Sequence, residues 1–229
     1  MTESVRTILA IEASNPSSGV GGVCVARVSA DGSVMVLGSS ALKEGTRSSD
    51  GVMESVDQAC VQAGLAPRDL DVIAVSAGPG GYTALRIATT TTKVLAHATR
   101  SQVVAVPTAR VAAIAIQPEH QPSLIALAGK NSAAHITLLR ADGSMEALGV
   151  VGADAIEPEM AKTLVGDDFV PAEISQRCAK LGMARIKIEL SGEACLRASL
   201  GISTIEPDAL EPAYAREPDA VTQWRARNP

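Results

Sequence analysis

The densest chemistry-bearing pattern in the chain is Gly78-Pro79-Gly80-Gly81-Tyr82-Thr83. A glycine turn between an apolar run and a helix can aim backbone N–H groups at an anion, such as a nucleotide phosphate. The spacing is not that of a P-loop, because no Lys-Ser or Lys-Thr follows, and it is not GxGxxG, because Thr83 stands at the third glycine position. Close approach of another backbone segment accounts for the same glycines without a ligand. Glu12-Ala13-Ser14 closes the first apolar run and places a carboxylate and a hydroxyl where they could help hold a metal or a phosphate; a polar strand end is the simpler explanation. Glu12, Ser14, Gly78, Gly80, Gly81 and Thr83 are therefore the candidate anion or nucleotide loop. No nucleophile, base and orienting group accompany it, so no catalytic residue is assigned. Cys24, Cys60, Cys178 and Cys195 form no CxxC pair, and His97, His120 and His135 are far apart, so no metal site is expected.

The elements that would position these residues are legible from hydrophobic pattern. Thr7–Ala13, Gly22–Val28 and Val34–Leu37 read as three strands, with turns at Asn15–Gly19 and at Ala30-Asp31-Gly32-Ser33. A helix follows to Ala63, with N-cap oxygens offered by Ser48, Ser49 and Asp50 and a stop at Gly64. The run Asp71–Ala77 is a central strand entering the glycine turn. A helix over Thr83–Ala98, a strand over Val103–Val106 and a short helix over Thr108–Ile116 complete the first half. The pattern then repeats: strands over Ser123–Ala128, Ala133–Leu139 and Met145–Val151, with a second Ala-Asp-Gly-Ser at Ala141–Ser144. Helices are expected near Asp154–Leu164, Pro171–Leu181 and Glu193–Leu200, the last capped by Ser191. Pro207, Pro212 and Pro218 predict an extended tail. The repeat implies an internal duplication in an α/β fold, with domains over 1–117 and 118–206 and a tail over 207–229.

Composition narrows the function classes. The 229 residues carry a net charge of −5, with nine basic and nine acidic residues up to position 116 and eleven and sixteen thereafter. Neither half is a basic platform, and Tyr82, Phe169, Tyr214 and Trp224 are the only aromatic residues, so autonomous nucleic-acid binding is not expected. No apolar run is long enough for a membrane span and the N-terminus lacks the pattern of a signal peptide, which makes a cytoplasmic protein the expectation.

The helix after the glycine turn stands out. Between Arg86 and Lys93 it has no charge, and Leu85, Ala88, Thr92 and Leu95 form one stripe, with Ile87, Val94 and Ala98 on another side. A surface helix ordinarily shows one apolar stripe and one charged face. Packing on two sides, within the chain or against a partner, accounts for the pattern.

The segment Asp69–Ile87, with its Gly-Pro-Gly-Gly-Tyr-Thr-Ala-Leu-Arg core, resembles the TsaB (YeaZ) family, whose loop reads GPGSFTGLR-like and leads into an Ala/Gly-rich helix with a lysine, here Lys93. Val103–Thr108 and Pro212-Ala213-Tyr214-Ala215-Arg216 extend the similarity. The resemblance implies two tandem RNase H-like α/β units of the actin/Hsp70-like (ASKHA) superfamily. It further implies a cytoplasmic, non-catalytic scaffold for synthesis of N6-threonylcarbamoyladenosine at tRNA position 37. The catalytic paralogue TsaD would be its heterodimer partner, with TsaE joining a ternary complex. The interface candidates under that resemblance are Val52, Met53 and Val56 on the first helix and Leu85, Ala88, Thr89, Thr92 and Leu95 on the second. Glu12-Ala13-Ser14 stands where the family has Asp-Thr-Ser, Ala84 replaces a loop glycine, and Ala128-Gly129-Lys130 replaces Asp-Ala-Arg; these departures argue against nucleotide or metal binding. No cofactor is expected. The competing readings are an enzyme that binds ATP or ADP with Mg through Gly78–Gly81, and a divergent homodimeric paralogue.

Overall fold

The computed structural model describes residues 5–15, 21–42, 49–217 and 219–227. Apolar residues in unbroken runs make the central strands. β1 (Arg6–Glu12) and β4 (Val72–Gly78) are parallel neighbours, and Ala10 of β1 pairs with Cys24 of β2 (Gly22–Val28) on one side and Ala74 of β4 on the other. Both need helices on each face to cover them. β3 (Val34–Ala41) lies at the edge, where Met35 and Val36 face solvent, and β5 (Gln102–Pro107) closes the other side, giving the order β3-β2-β1-β4-β5. The second sheet, built from β6 (Ser123–Lys130), β7 (Ala133–Leu139), β8 (Met145–Gly152), β9 (Thr163–Gly166) and β10 (Ala184–Lys187), has the matching order β8-β7-β6-β9-β10.

The two Ala-Asp-Gly-Ser turns make the same hydrogen bonds. Asp31 and Asp142 each accept the N–H two residues on at 2.9 Å, and Gly32 and Gly143 adopt φ near +80° (82° and 81°). Ser29 and Arg140 donate to the Ser33 and Ser144 carbonyls at 3.0 and 2.9 Å. Identical local chemistry at equivalent hairpins is what a duplicated unit predicts. The turn expected at Asn15–Gly19 lies mostly outside the described residues. So do Ser48 and the side chains of Ser49 and Asp50, the expected helix cap.

Helices α1 (Ser49–Ala63) and α2 (Tyr82–Thr99) lie on one face of the first sheet, with Val52, Val56, Ala59, Ala88 and Leu95 packed on Leu9, Ile11, Val25, Ile73 and Val75. On the other face, α3 (Thr108–Ala113) and α5 (Gly192–Ser199) share a core with Ile8, Ala74 and Val104 and with Ile125, Leu127 and Val165 of the second sheet. Ser191 caps α5 by accepting the Ala194 N–H at 3.0 Å. Although α5 lies within 118–206, it packs on β1 and β2 of the first sheet. α4 (Ala172–Lys180) covers the second sheet with Ile174 and Cys178.

Three sequence expectations are corrected. The helix expected near Asp154–Leu164 is a short 3-10 turn over Ala153–Ala155 followed by irregular chain and β9. Pro158 removes a helical donor, and Glu159 adopts φ +72°. β10 was not expected; its Arg185 and Lys187 are the charged side chains of an edge strand, which hide the apolar alternation. The tail is not extended throughout, because Asp219–Arg227, which follows Pro218 in sequence, forms α6. Among the described residues no helix is long and apolar enough to cross a membrane.

Candidate functional site

Four strand ends converge between the units: Glu12–Asn15 after β1, Gly78–Gly81 after β4, Leu127–Lys130 at β6, and Asp167–Phe169 after β9. They enclose a small cleft of 130 Å³ that runs beside a larger one of 410 Å³. The larger is lined by Gly80, Tyr82, Gly129, Lys130, Tyr214 and Arg216, among others. The two most family-like segments, more than a hundred residues apart in sequence, are thus in contact.

The tail is what joins them. Ala213 donates its N–H to the Ala77 carbonyl at 2.7 Å, and Tyr214 stacks on Tyr82 with ring centres 4.6 Å apart. Arg86 lies 5.6 Å from the Tyr82 ring centre. Arg216 donates to the carbonyls of Ala128 and Ala133 in the second sheet, both at 2.7 Å. Arginine suits this position because its fixed fork can serve two carbonyls at once. Asn15 makes a further tie by donating to Asp167, which also accepts the Phe169 N–H at 2.9 Å.

This geometry corrects the loop expectation. Gly78 has φ +120°, and a Cβ there would collide with the Ala213 carbonyl oxygen. A Cβ on Gly80 would lie 2.5 Å from the Ser14 carbonyl oxygen, which also accepts the Gly81 N–H at 2.8 Å. The glycines are needed because the protein's own backbone approaches them. Glu12 and Ser14 are fully buried and do not line the cleft, and Thr83 is exposed on the first turn of α2. Burial holds the Glu12 carboxyl above the ordinary carboxylate range, against the pull of its bonds from Ser14. The six candidates are brought near one another but do not form one open phosphate cradle. Among the described residues no group of three or more His, Cys, Asp or Glu could hold a metal ion.

The helix-face expectation is also corrected. Leu85, Ala88, Thr89, Thr92 and Leu95 are buried within the chain, as are Val52 and Val56; Leu85 and Ala88 are 0% exposed. Side chains sealed by their own fold cannot touch another subunit. The small residues let α2 approach β4 and α1. The threonines fit a helix because Thr89 and Thr99 donate their hydroxyls to the carbonyls four residues back, at 2.7 and 2.8 Å. Of the eight candidates only Met53 is open, at 43% exposure.

The free face of α2 is the side the candidate set left out. Thr83, Arg86, Thr90, Val94 and His97 face solvent, with Ile87 and Thr91 half-buried among them; Val94 is 64% exposed. On neighbouring α1, Met53, Asp57 and Val61 recur every four residues on the exposed side, and Val61 is 70% exposed. The helical period on α2, with Ile87 and Val94 seven residues apart, is the signal that could have found this face.

A groove that sequence reasoning did not identify runs along the opposite side of the glycine turn. It has a volume of 980 Å³ and lies between α3 and the β7–β8 hairpin, with Pro107, Ile114, Leu139 and Met145 among its walls. His135 lines it. Burial and the nearby Arg216 charge hold its imidazole below the usual histidine range, and its Nδ1 has no partner among the described residues.

The fold has solved counterparts. A structure of YeaZ from Pseudomonas aeruginosa superposes with a TM-score of 0.67 at 19% identity, over 91% of this chain and 99% of that one. Another, described as an uncharacterized protein with similarity to peptidase YeaZ from the same organism, gives 0.67 at 20% identity, over 92% and 100%. No curated protein sequence matches significantly. The family model described as TsaD, tRNA N6-adenosine threonylcarbamoyltransferase, matches residues 45–220, which include the glycine turn, both faces of α2 and the Tyr214–Arg216 clasp. The chain therefore belongs to the TsaD family of tRNA N6-adenosine threonylcarbamoyl modification, and it carries the two-sheet α/β fold of YeaZ.

Proposed function

We propose that this chain is a non-catalytic partner subunit in the threonylcarbamoylation of tRNA adenosine. It would dock on the catalytic TsaD subunit, with TsaE joining the complex, through the exposed face of the α1–α2 layer. The observation that carries this reading is the uncharged strip on α2 made by exposed Thr90 and Val94 with half-buried Ile87 and Thr91, together with exposed Met53 and Val61 on the packed helix α1. A water-facing helix ordinarily spends this face on charged side chains. Interface cores are depleted in charge in the same way. The cleft supports the assignment from the other side, because its arginine, its tyrosine pair and its Asn15–Asp167 tie hold the chain's own units together.

Co-expression of this chain with TsaD from the same genome tests the reading. The pair is expected to co-purify, and Val94→Arg is expected to lose the complex while leaving this chain folded, because the new charge would be buried on docking. Retention of the complex by Val94→Arg, or no complex between the folded wild-type proteins at micromolar concentration, overturns it.

A further inference from the structure

The end of β1 encloses a carboxyl group that has no charge partner. Glu12 is 0% exposed. Its Oε1 accepts the Ser14 N–H at 2.8 Å and the Ser14 hydroxyl at 2.6 Å, whereas Oε2 is buried with no close hydrogen-bond partner among the described residues. The groups around it come from every packed element. From β4 there is Ser76, whose hydroxyl acts on the Glu12 carboxyl as a hydrogen-bonding neighbour and shares a hydrogen bond of 2.8 Å with Thr108 of α3. From α5 there is the buried Cys195 thiol, 3.6 Å from the Ile11 carbonyl oxygen, and behind it Cys24 of β2. None of these is a cation, and no Lys, Arg or His charge among the described residues acts on Glu12. A carboxylate so fully enclosed, with amide and hydroxyl donors from Ser14 and Ser76 but no cation, is less favourable than the neutral acid, because burial outweighs those bonds.

Two contacts hang on this carboxyl. Ser14, which Glu12 holds by both its N–H and its hydroxyl, receives the Gly81 N–H on its carbonyl. Asn15, the next residue, donates to Asp167 of the second unit. The glycine turn and one tie between the units are therefore rooted in the same side chain.

We propose that Glu12 is a proton-operated latch: protonated, it seats Ser14 under the glycine turn and keeps the tie between the units made; ionised, it unseats both. The sign of the linkage follows from burial, which raises the Glu12 pKa in the fold above its ordinary 4.5. The native chain then binds this proton more tightly than the unfolded chain does. Its contribution to stability is complete below the unfolded value and declines as pH rises from there through the folded value. The latch does not depend on the docking reading, so either can fail alone.

The test follows the full-length chain by NMR across pH, reading the Glu12 side-chain carboxyl carbon and hydrogen exchange at the Gly81 amide. Glu12→Gln is the non-ionisable comparison. The Glu12 carbon is expected to titrate above the exposed carboxyls. Gly81 exchange, corrected for base catalysis, is expected to quicken by about tenfold or more through the same window in the wild type and to stay flat in Glu12→Gln. Titration of Glu12 together with the exposed carboxyls, or parallel exchange curves for the two proteins, overturns the proposal. Should Glu12→Gln not fold, the wild type alone decides: coincidence of carbon titration and Gly81 exchange supports the latch, and independence of the two refutes it.

Discussion

The two units share a strand plan but not a helix complement. Between its third and fourth strands the first unit inserts α1, which has 15 residues; the second inserts only a 3-10 turn and a proline-broken loop. After the fourth strand the first unit has α2, with 18 residues, and the second has α4, with nine. The exposed sides differ in kind as well as length. α4 shows Glu173, Gln176 and Lys180 to solvent, an ordinary charged face, whereas the exposed residues of α2 between Arg86 and His97 are Thr90 and Val94. Among the described residues, only the first unit therefore presents a two-helix layer with an uncharged strip on its outer side. The second unit buries one face of one short helix and stops there. The sheets repeat from one unit to the other, and the difference in helices is what makes the outer surfaces of the two units unlike.

The largest expected effect separates the two sides of α2. Ala88→Arg drives a charge into the core against β4 and is expected to cost about 4 kcal/mol or more, enough to unfold much of the chain. The exposed Val94→Arg should leave the unfolding free energy measured in urea within about 0.5 kcal/mol of the wild type. Equal stabilities for the two variants would mean that the buried and open faces are wrongly assigned. The next effect compares the glycine turn with the hairpin turns of the duplicated units. Gly78→Ala must force the tail carbonyl away and hold alanine at φ +120°, an expected loss of about 3 kcal/mol. Gly143→Ala meets nothing within 4 Å and should lose only about 1 kcal/mol for its positive φ. Chemical denaturation of both variants measures the contrast, and similar losses would deny the tail its hold on the turn. The smallest effect is a gain. The buried Thr92 hydroxyl has no hydrogen-bond partner among the described residues, so Thr92→Val keeps the shape and is expected to stabilise the chain by about 1 kcal/mol. A loss in a thermal melt would show that the hydroxyl is satisfied in solution.

Legibility followed the length scale of the interaction. The hairpin turns at Asp31-Gly32 and Asp142-Gly143 were readable because each is closed by its own aspartate and glycine. The Ser191 cap was readable for the same reason. β10 was hidden because its strand character comes from pairing with β9, while its own side chains alternate with charge. The stretch near Asp154–Leu164 looked helical by composition, yet Pro158 and the pairing of β9 with β6 set its path. The site was the least readable part. Gly78–Gly81 has the look of a phosphate turn, but its partners are the Ser14 and Ala213 carbonyls, one more than sixty residues before it and the other more than a hundred and thirty after. The uncharged run on α2 was evident, but not which side of it faced outward.

Local pattern alone determined the order of most strands and helices, the repeated three-strand unit, and the presence of an unusually bare helix after a glycine turn. Each of those depends on neighbouring residues, through turn geometry and the period of apolar side chains. Tertiary structure decided that Leu85, Ala88 and Thr92 are core while Thr90 and Val94 are surface, that Arg216 and Tyr214 clasp the two units, and that Glu12 is sealed from the cleft. Burial is a property of what a side chain packs against, and those contacts join segments too far apart in sequence for periodicity to reveal.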